Sequence, residues 1–214
     1  MNILFVFAHP DDEAYGPAGT IAKLSKDNNI TVLSLCRGNR PGCEEVEMSR
    51  QVAFKKSCKL LGATPIILDY SDCFLEYNTI VKSIEHIIKQ VNPTAVYTHN
   101  ISDIHKDHRL VSEVCMVACR PKADSNIKSL YMCEMIASTD WTFGQFEPQF
   151  IPNVYIDVTN YIEEKQKSIE LYLSELYTFP DARSIISMET LAKYRGKQVG
   201  VQFAESFKLI FSKE

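Results

Sequence analysis

The stretch His9-Pro10-Asp11-Asp12-Glu13 sets one imidazole and three carboxylates within five positions, directly after the apolar run Asn2–Phe7. A neutral imidazole and a carboxylate three positions later, His9 and Asp12, are ligand types that suit zinc or ferrous iron. Asp11 and Asp12 are neighbours in an irregular turn, so their side chains diverge. One can bind a metal while the other faces the water that the metal activates. A plainer use of the same residues is helix capping, in which acids at a helix start satisfy free N–H groups and complement the macrodipole. Capping accounts for one or two of the acids, and a lone histidine beside them is usually structural, so this stretch alone does not choose. The paired carboxylates and the absence of a GxGxxG turn speak against a dinucleotide phosphate site.

A mononuclear hydrolytic metal needs a third protein ligand and an open position. The segment AVYTHNISDIHKDHRLV, Ala95 to Val111, supplies candidates where another strand ends. His99, His105 and His108 follow the run Ala95–Thr98 and are three of the five histidines in the chain. If Asp107 starts or caps the next helix, His105 and His108 can face one pocket in different roles. A polar turn can use the same residue types for its own backbone. Two such loops at the ends of two strands are better read together, as one metal site built across both. His86 falls within the helical pattern Ile80–Val91 and reads as surface or packing.

The elements that must position these loops follow from hydrophobic patterning. Candidate strands are Asn2–Phe7, Thr31–Cys36, Ile66–Leu68 and Ala95–Thr98, alternating with amphipathic helices over Ala18–Lys26, Glu44–Leu61 and Ile80–Val91. Gly62 closes the second helix and Asn92-Pro93 stops the third. Pro10 stiffens the first loop, while Gly16 and Gly19 let the backbone turn and the next helix pack closely. Further on, Leu130–Ile136, Asn153–Val158 and Phe207–Phe211 read as strands, and Ile162–Leu176 and Met188–Gln198 as helices. Strand–helix alternation predicts an α/β, Rossmann-like three-layer fold: a mostly parallel sheet with helices on both faces and ligands outside the strands' carboxyl ends. No linker or internal repeat divides the chain, so residues 1–214 read as a single domain.

Bulk properties narrow the function. The chain has 214 residues, 45% of them hydrophobic, and a net charge of −4 with no basic block, which argues against nucleic-acid binding. Apolar runs are strand-sized, well below a membrane span. Met1–Ala8 lacks a basic flank and a small-residue cleavage site and reads as mature structure. The seven cysteines, Cys36, Cys43, Cys58, Cys73, Cys115, Cys119 and Cys133, are odd in number and form no CxxC, which suits a reducing cytoplasm.

The pair AHPDDE and THNxxDxHxDH resembles the PIG-L/LmbE-like family of metal-dependent N-deacetylases acting on amino sugars. The segments SRQVAFKKSCKLLG, PNVYIDVTNYIEEK, DARS, YRGKQVG and AESF follow in the order the family would have them. The resemblance implies a Rossmann-like deacetylase domain over residues 1–214 and a metal, Zn2+ or Fe2+, held by His9, Asp12 and His108. It implies Asp11 as the general base for the attacking water. It makes His105 the residue that stabilises the oxyanion or protonates the leaving amine, with Asp107 orienting it. Arg50 matches a basic residue near the sugar, and Arg183 in DARS and Arg195 in YRG are further substrate-binding candidates. Trp141, Phe143 and Tyr194 are aromatic candidates for the pocket wall. Glu13 is needed by no chemical step and reads as capping or support. The expected partner is a small amino-sugar substrate of the N-acetylglucosamine type, with no nucleic acid and no membrane; related enzymes are often homo-oligomers. Two positions depart from the family pattern: Lys106 replaces the proline of His-Pro-Asp-His, and Ala53 stands where an acidic residue often follows the helix arginine.

Overall fold

A computed structural model describes residues 1–39 and 44–214. Cys43 lies outside the described residues; the other six cysteines are free thiols.

The central strand β1 (Asn2–Phe7) shows why the chain opens with an unbroken apolar run. Ile3, Phe5 and Phe7 point into the core on one side of the sheet, and Leu4, Val6 and Ala8 into the core on the other. A strand buried on both faces has no polar alternation to show. The remaining strands are β2 (Asn29–Cys36), β3 (Ala63–Tyr70), β4 (Ala95–His99), β5 (Ser129–Cys133), β6 (Val154–Asp157) and β7 (Ala204–Ser212). Helices α1 (Asp12–Tyr15), α2 (Ala18–Leu24), α3 (Glu44–Leu60), α4 (Tyr77–Val91), α5 (Lys106–Ala118), α6 (Ile162–Glu170) and α7 (Ile185–Val199) cover the two faces. The sheet order is β3-β2-β1-β4-β5-β7-β6, and β7 runs antiparallel to both of its neighbours. The expected mostly parallel, Rossmann-like sheet is what forms.

The order explains where a ligand goes. From β1 the chain winds outward through β2 and β3 on one side, then returns to build β4 and β5 on the other. Connections therefore diverge between β1 and β4, and a crevice opens at their carboxyl ends. The His9–Tyr15 loop leaves β1 and the His99–His108 loop leaves β4, so the two chemistry-bearing segments meet there.

Several element ends differ from the patterning, for physical reasons. β3 is longer than Ile66–Leu68 and includes Pro65, which is tolerated because β3 is an edge strand. β5 stops at Cys133 rather than Ile136: Met135, Ile136 and Ala137 leave the sheet to line the cavity described below. Helix α6 ends at Glu170 instead of running to Leu176, because Tyr172 turns fully inward and donates its hydroxyl to Glu13 at 2.5 Å. The glycines act as expected. A Cβ at Gly16 would lie 2.5 Å from Met135 Cε and 2.8 Å from the Asp12 carbonyl; one at Gly19 would meet Val158 at 2.9 Å.

Candidate metal and catalytic site

Residues of both loops close around one point. His9 Nδ1 lies 3.3 Å from His108 Nε2 and 3.6 Å from Asp12 Oδ2, and His108 Nε2 lies 3.3 Å from Asp12 Oδ1. Three donors bound to one tetrahedral zinc at about 2.0–2.1 Å stand roughly 3.3–3.4 Å apart. Two imidazole nitrogens and a carboxylate, with one Asp12 oxygen facing each ring, are a donor set of the zinc type, and all three residues are buried.

Each histidine has a carboxylate behind it. Asp107 Oδ2 is 3.2 Å from His9 Nε2, which keeps a proton on that nitrogen and leaves Nδ1 as the electron-pair donor. Asp103 Oδ1 faces His108 Nδ1 at 3.2 Å, an ion-pair contact whose angle falls short of a hydrogen bond but which favours the same tautomer logic. Burial works against charge on His9, but its hydrogen bonds to Asp107 and Asp12 raise its pKa well above the ordinary range. His108 is likewise raised to about 9: burial opposes, and the charges of Asp12 and Asp103 outweigh it.

His99 is one of the second loop's candidates, with no role implied by the resemblance. It is fully buried and stacks flat on His108, centroids 3.8 Å apart at 8°. Its Nε2 accepts the Ala8 N–H at 2.9 Å, so the ring locks the end of β1 to the end of β4 and backs the His108 ring. Burial and the neighbouring His108 charge lower its pKa to about 4, keeping it neutral. Its position at the last residue of a strand, ahead of a histidine-rich loop, was the available signal.

Asp11 borders the same cavity as His9, Asp12 and His108 but has a different set of partners. Its backbone sits at φ 137°, a conformation L residues rarely adopt, and Glu13 Oε2 accepts its N–H at 3.2 Å. Its Oδ2 accepts from Arg183 Nη2 at 2.7 Å and lies 3.1 Å from Arg50 Nη2. Asp72 and Glu175, neither singled out in the sequence, complete the network: Asp72 holds Arg50 at 3.2 Å and Glu175 holds Arg183 at 2.6 Å.

His105 caps α5, its Nδ1 accepting the Asp107 N–H at 3.2 Å. Asp107 thus contacts His105 through its main chain. Its carboxylate serves His9 and the Cys73 N–H. Burial and the charges of His108 and His9 lower the pKa of His105 to about 4.

His9, Asp11, Asp12, Arg50, His105, His108, Trp141 and Arg183 all border one cavity of about 340 Å³. That volume suits a small ligand. Arg195 does not join them. Its guanidinium is gripped by both oxygens of Glu134 beside a separate cavity, because Glu134 leaves β5 on the side of α7. Tyr194 borders yet another hollow, and Phe143 is largely exposed away from the site lining.

The chain is similar to known proteins in sequence and in fold. The family described as PIG-L: GlcNAc-PI de-N-acetylase matches residues 4–119, more than half of the chain and both loops. The uncharacterized deacetylase YaiS of Escherichia coli (strain K12) is 33% identical over 128 residues, covering 56% of this chain and 68% of that protein. The diacetylchitobiose deacetylase of Thermococcus kodakarensis is 27% identical across 98% of this chain and 83% of its own. Among solved structures, the N,N'-diacetylchitobiose deacetylase of Pyrococcus horikoshii superposes with a TM-score of 0.77 at 21% identity, covering 97% of this chain and 83% of that one.

Proposed function

The chain belongs to the PIG-L family of de-N-acetylases, and from that premise we propose that it is a metal-dependent hydrolase removing the acetyl group from an N-acetylated amino sugar or sugar conjugate. The observation that carries the reading is the convergence of His9 Nδ1, Asp12 and His108 Nε2, drawn from two loops, beside a cavity that also holds Asp11 and His105. His9, Asp12 and His108 would hold the cation, Zn2+ or Fe2+, which when bound polarises an amide carbonyl and makes water acidic enough to attack it.

The chain's own residues supply the rest. Asp11 takes the proton of the attacking water at Oδ2, an oxygen that in this state is shared by Arg50 and Arg183. His105 is neutral, and because Nδ1 accepts from Asp107, its proton sits on Nε2. It therefore donates a hydrogen bond to the oxygen that becomes negative as the tetrahedral centre forms. A cation nearby lowers the imidazole pKa further, so His105 acts as a neutral donor. Arg50 and Arg183 border the cavity and contact sugar hydroxyls or an anionic substituent once substrate displaces them from Asp11. Arg195 has no place in this scheme, since its guanidinium is committed to Glu134.

The same reading takes residues 1–214 as one deacetylase domain. Among the described residues no helix is long and apolar enough to cross a membrane, and the free thiols fit a reducing compartment such as the cytoplasm.

The test is acetate release from a panel of N-acetylglucosamine-type substrates by metal-loaded protein, beside Asp11→Ala. Removing a general base should cost roughly 10²–10⁴-fold in rate while metal content is kept. Full activity in Asp11→Ala with metal bound would remove Asp11 from the role of base.

A further inference from the structure

Two opposite charges lie buried behind the first loop, and neither borders the cavity of the candidate site. Lys165 of α6 is 5% exposed and Glu205 of β7 is 7% exposed, with Lys165 Nζ 2.7 Å from Glu205 Oε1. A buried ion pair is a poor source of stability. Desolvation cancels most of the attraction, and apolar side chains of similar volume often hold a fold as well or better. The remaining bonds of the pair give it a different use. The Lys165 ammonium also donates to the Gly16 carbonyl. The Glu205 carboxylate accepts the Gly19 N–H on Oε1 at 3.0 Å and the Thr20 N–H on Oε2 at 2.7 Å. Both charges are thus directed at the main chain that leads from the end of α1 into the first turn of α2.

That link controls what precedes it. Helix α1 is a single turn of four residues, Asp12–Tyr15, too short to hold itself. The Gly16 N–H donates to the Asp12 carbonyl at 2.9 Å, and the Tyr15 N–H to the Asp11 carbonyl at 3.0 Å. Glu13 and Tyr15 are held through their side chains, by Tyr172 and Glu175, but Gly16 has none and can be gripped only by its main chain. Asp11 sits at φ 137°, a conformation that persists only where the surroundings over-determine it. Strand β1 fixes this turn on one side, and the Lys165–Glu205 pair grips it on the other. We propose that Lys165 and Glu205 are positioning residues: their ion pair anchors Gly16 and the start of α2, and through Gly16 it sets the place of Asp12 and of the strained turn at Asp11. The anchor stands on the hydrogen bonds alone; its effect on metal binding rests on the reading of Asp12 as a ligand.

The test separates position from stability. Lys165→Met leaves the Glu205 carboxylate buried without its cation and should lower both the urea midpoint and zinc affinity. Lys165→Met/Glu205→Gln removes both charges while the amide oxygen still accepts one N–H of α2. It should regain most of the lost midpoint, yet keep zinc affinity at least about tenfold below wild type in competition against a chelator. Should Lys165→Met fail to fold, the double variant carries the test. Lys167→Met, which removes an exposed pair with Glu163 on the same helix, should leave midpoint and affinity unchanged. Zinc affinity that returns together with the midpoint, or that neither variant lowers, overturns the positioning role. Hydrogen exchange of the metal-free proteins reads the anchor directly. The amides of Ala14, Tyr15 and Gly16 should exchange at least about tenfold faster in the double variant, while those of β1 stay as in wild type. Exchange at the wild-type rate in those three amides overturns the anchor. If the wild-type protein binds no zinc, the metal reading fails, and exchange alone decides whether the pair holds the turn.

Discussion

Arg183 donates to Asp11 across 172 positions of sequence, Nη2 to Oδ2 at 2.7 Å, with its guanidinium carbon 4.3 Å from the Tyr15 ring centroid. The candidate base is thus held by a side chain from the far end of the chain, which also bonds Glu175 at 2.6 Å. Arg183→Met removes this bridge but leaves Asp11 with Arg50. The expected loss is about 1–3 kcal/mol of stability in urea denaturation, the cost of leaving buried acceptors short of a partner. Arg183→Lys keeps the charge without the fork that spans Asp11 and Glu175, and should recover only part of that loss. Wild-type stability in both variants would show that the bridge carries no weight.

The carboxylates behind the two candidate ligand histidines make a sharper claim. If Asp107 fixes His9 and Asp103 fixes His108, then Asp107→Asn and Asp103→Asn should each weaken metal affinity by about 10–100-fold. Competition against a chelator of known affinity measures this without any substrate. An Asp107→Asn protein slow in turnover yet unchanged in metal affinity would show that the Asp107 carboxylate does not act through His9.

Protonation of the ligands gives metal binding a pH dependence of definite sign. The charges of Asp12 and Asp103 push the pKa of His108 up to about 9 from an ordinary 6.5 against the opposing effect of burial, and His9 is shifted the same way. The stability these charged rings contribute is complete below pH 6.5 and is lost as pH rises through about 9. A cation must displace those protons, so apparent affinity should climb across that window, by about tenfold per pH unit for each proton displaced. Proton release in weak buffer on adding metal, together with chelator competition at several pH values, checks it. A flat affinity profile would contradict the raised values.

Much of this site was readable because its chemistry is local. His9 and Asp12 share one turn, His105 and His108 share another, and the apolar run before each turn announces the strand that delivers it. The separate partners of Asp11 and Asp12 followed from adjacency in an irregular turn. What the sequence hid were contacts between distant segments. Nothing in the string says that Asp103 and Asp107 stand behind His108 and His9, or that His99 stacks on His108. The two arginines called alike, Arg183 and Arg195, part company because Glu134 leaves its strand on the side of α7 and captures Arg195. Helix α6 stops short of its hydrophobic pattern for a related reason: Tyr172 fits the helical period, but its burial and its bond to Glu13 draw the chain inward.

That bond leads to Glu13, whose carboxyl is pushed up to about 7 from an ordinary 4.5, chiefly by complete burial and further by the charge of Asp11, against the opposing hydrogen bonds of Ser57 and Tyr172. For an acid raised in the fold, the unfolded chain ionises first. Stability contributed by Glu13 therefore falls as pH rises from about 4.5 to 7 and stays low above that. Glu13→Gln removes the ionisation while keeping one oxygen to accept a hydrogen bond. At pH 8 the variant should be more stable by about 2–3 kcal/mol, and near pH 4 the difference should vanish. Urea denaturation at the two pH values tests this, and a difference independent of pH would contradict it. The gain should come with slower turnover at unchanged metal content, because Glu13 Oε2 accepts the N–H of the strained Asp11, and a neutral amide holds it less firmly. A residue no chemical step requires would then be retained at a cost in stability, for the sake of where it keeps the base.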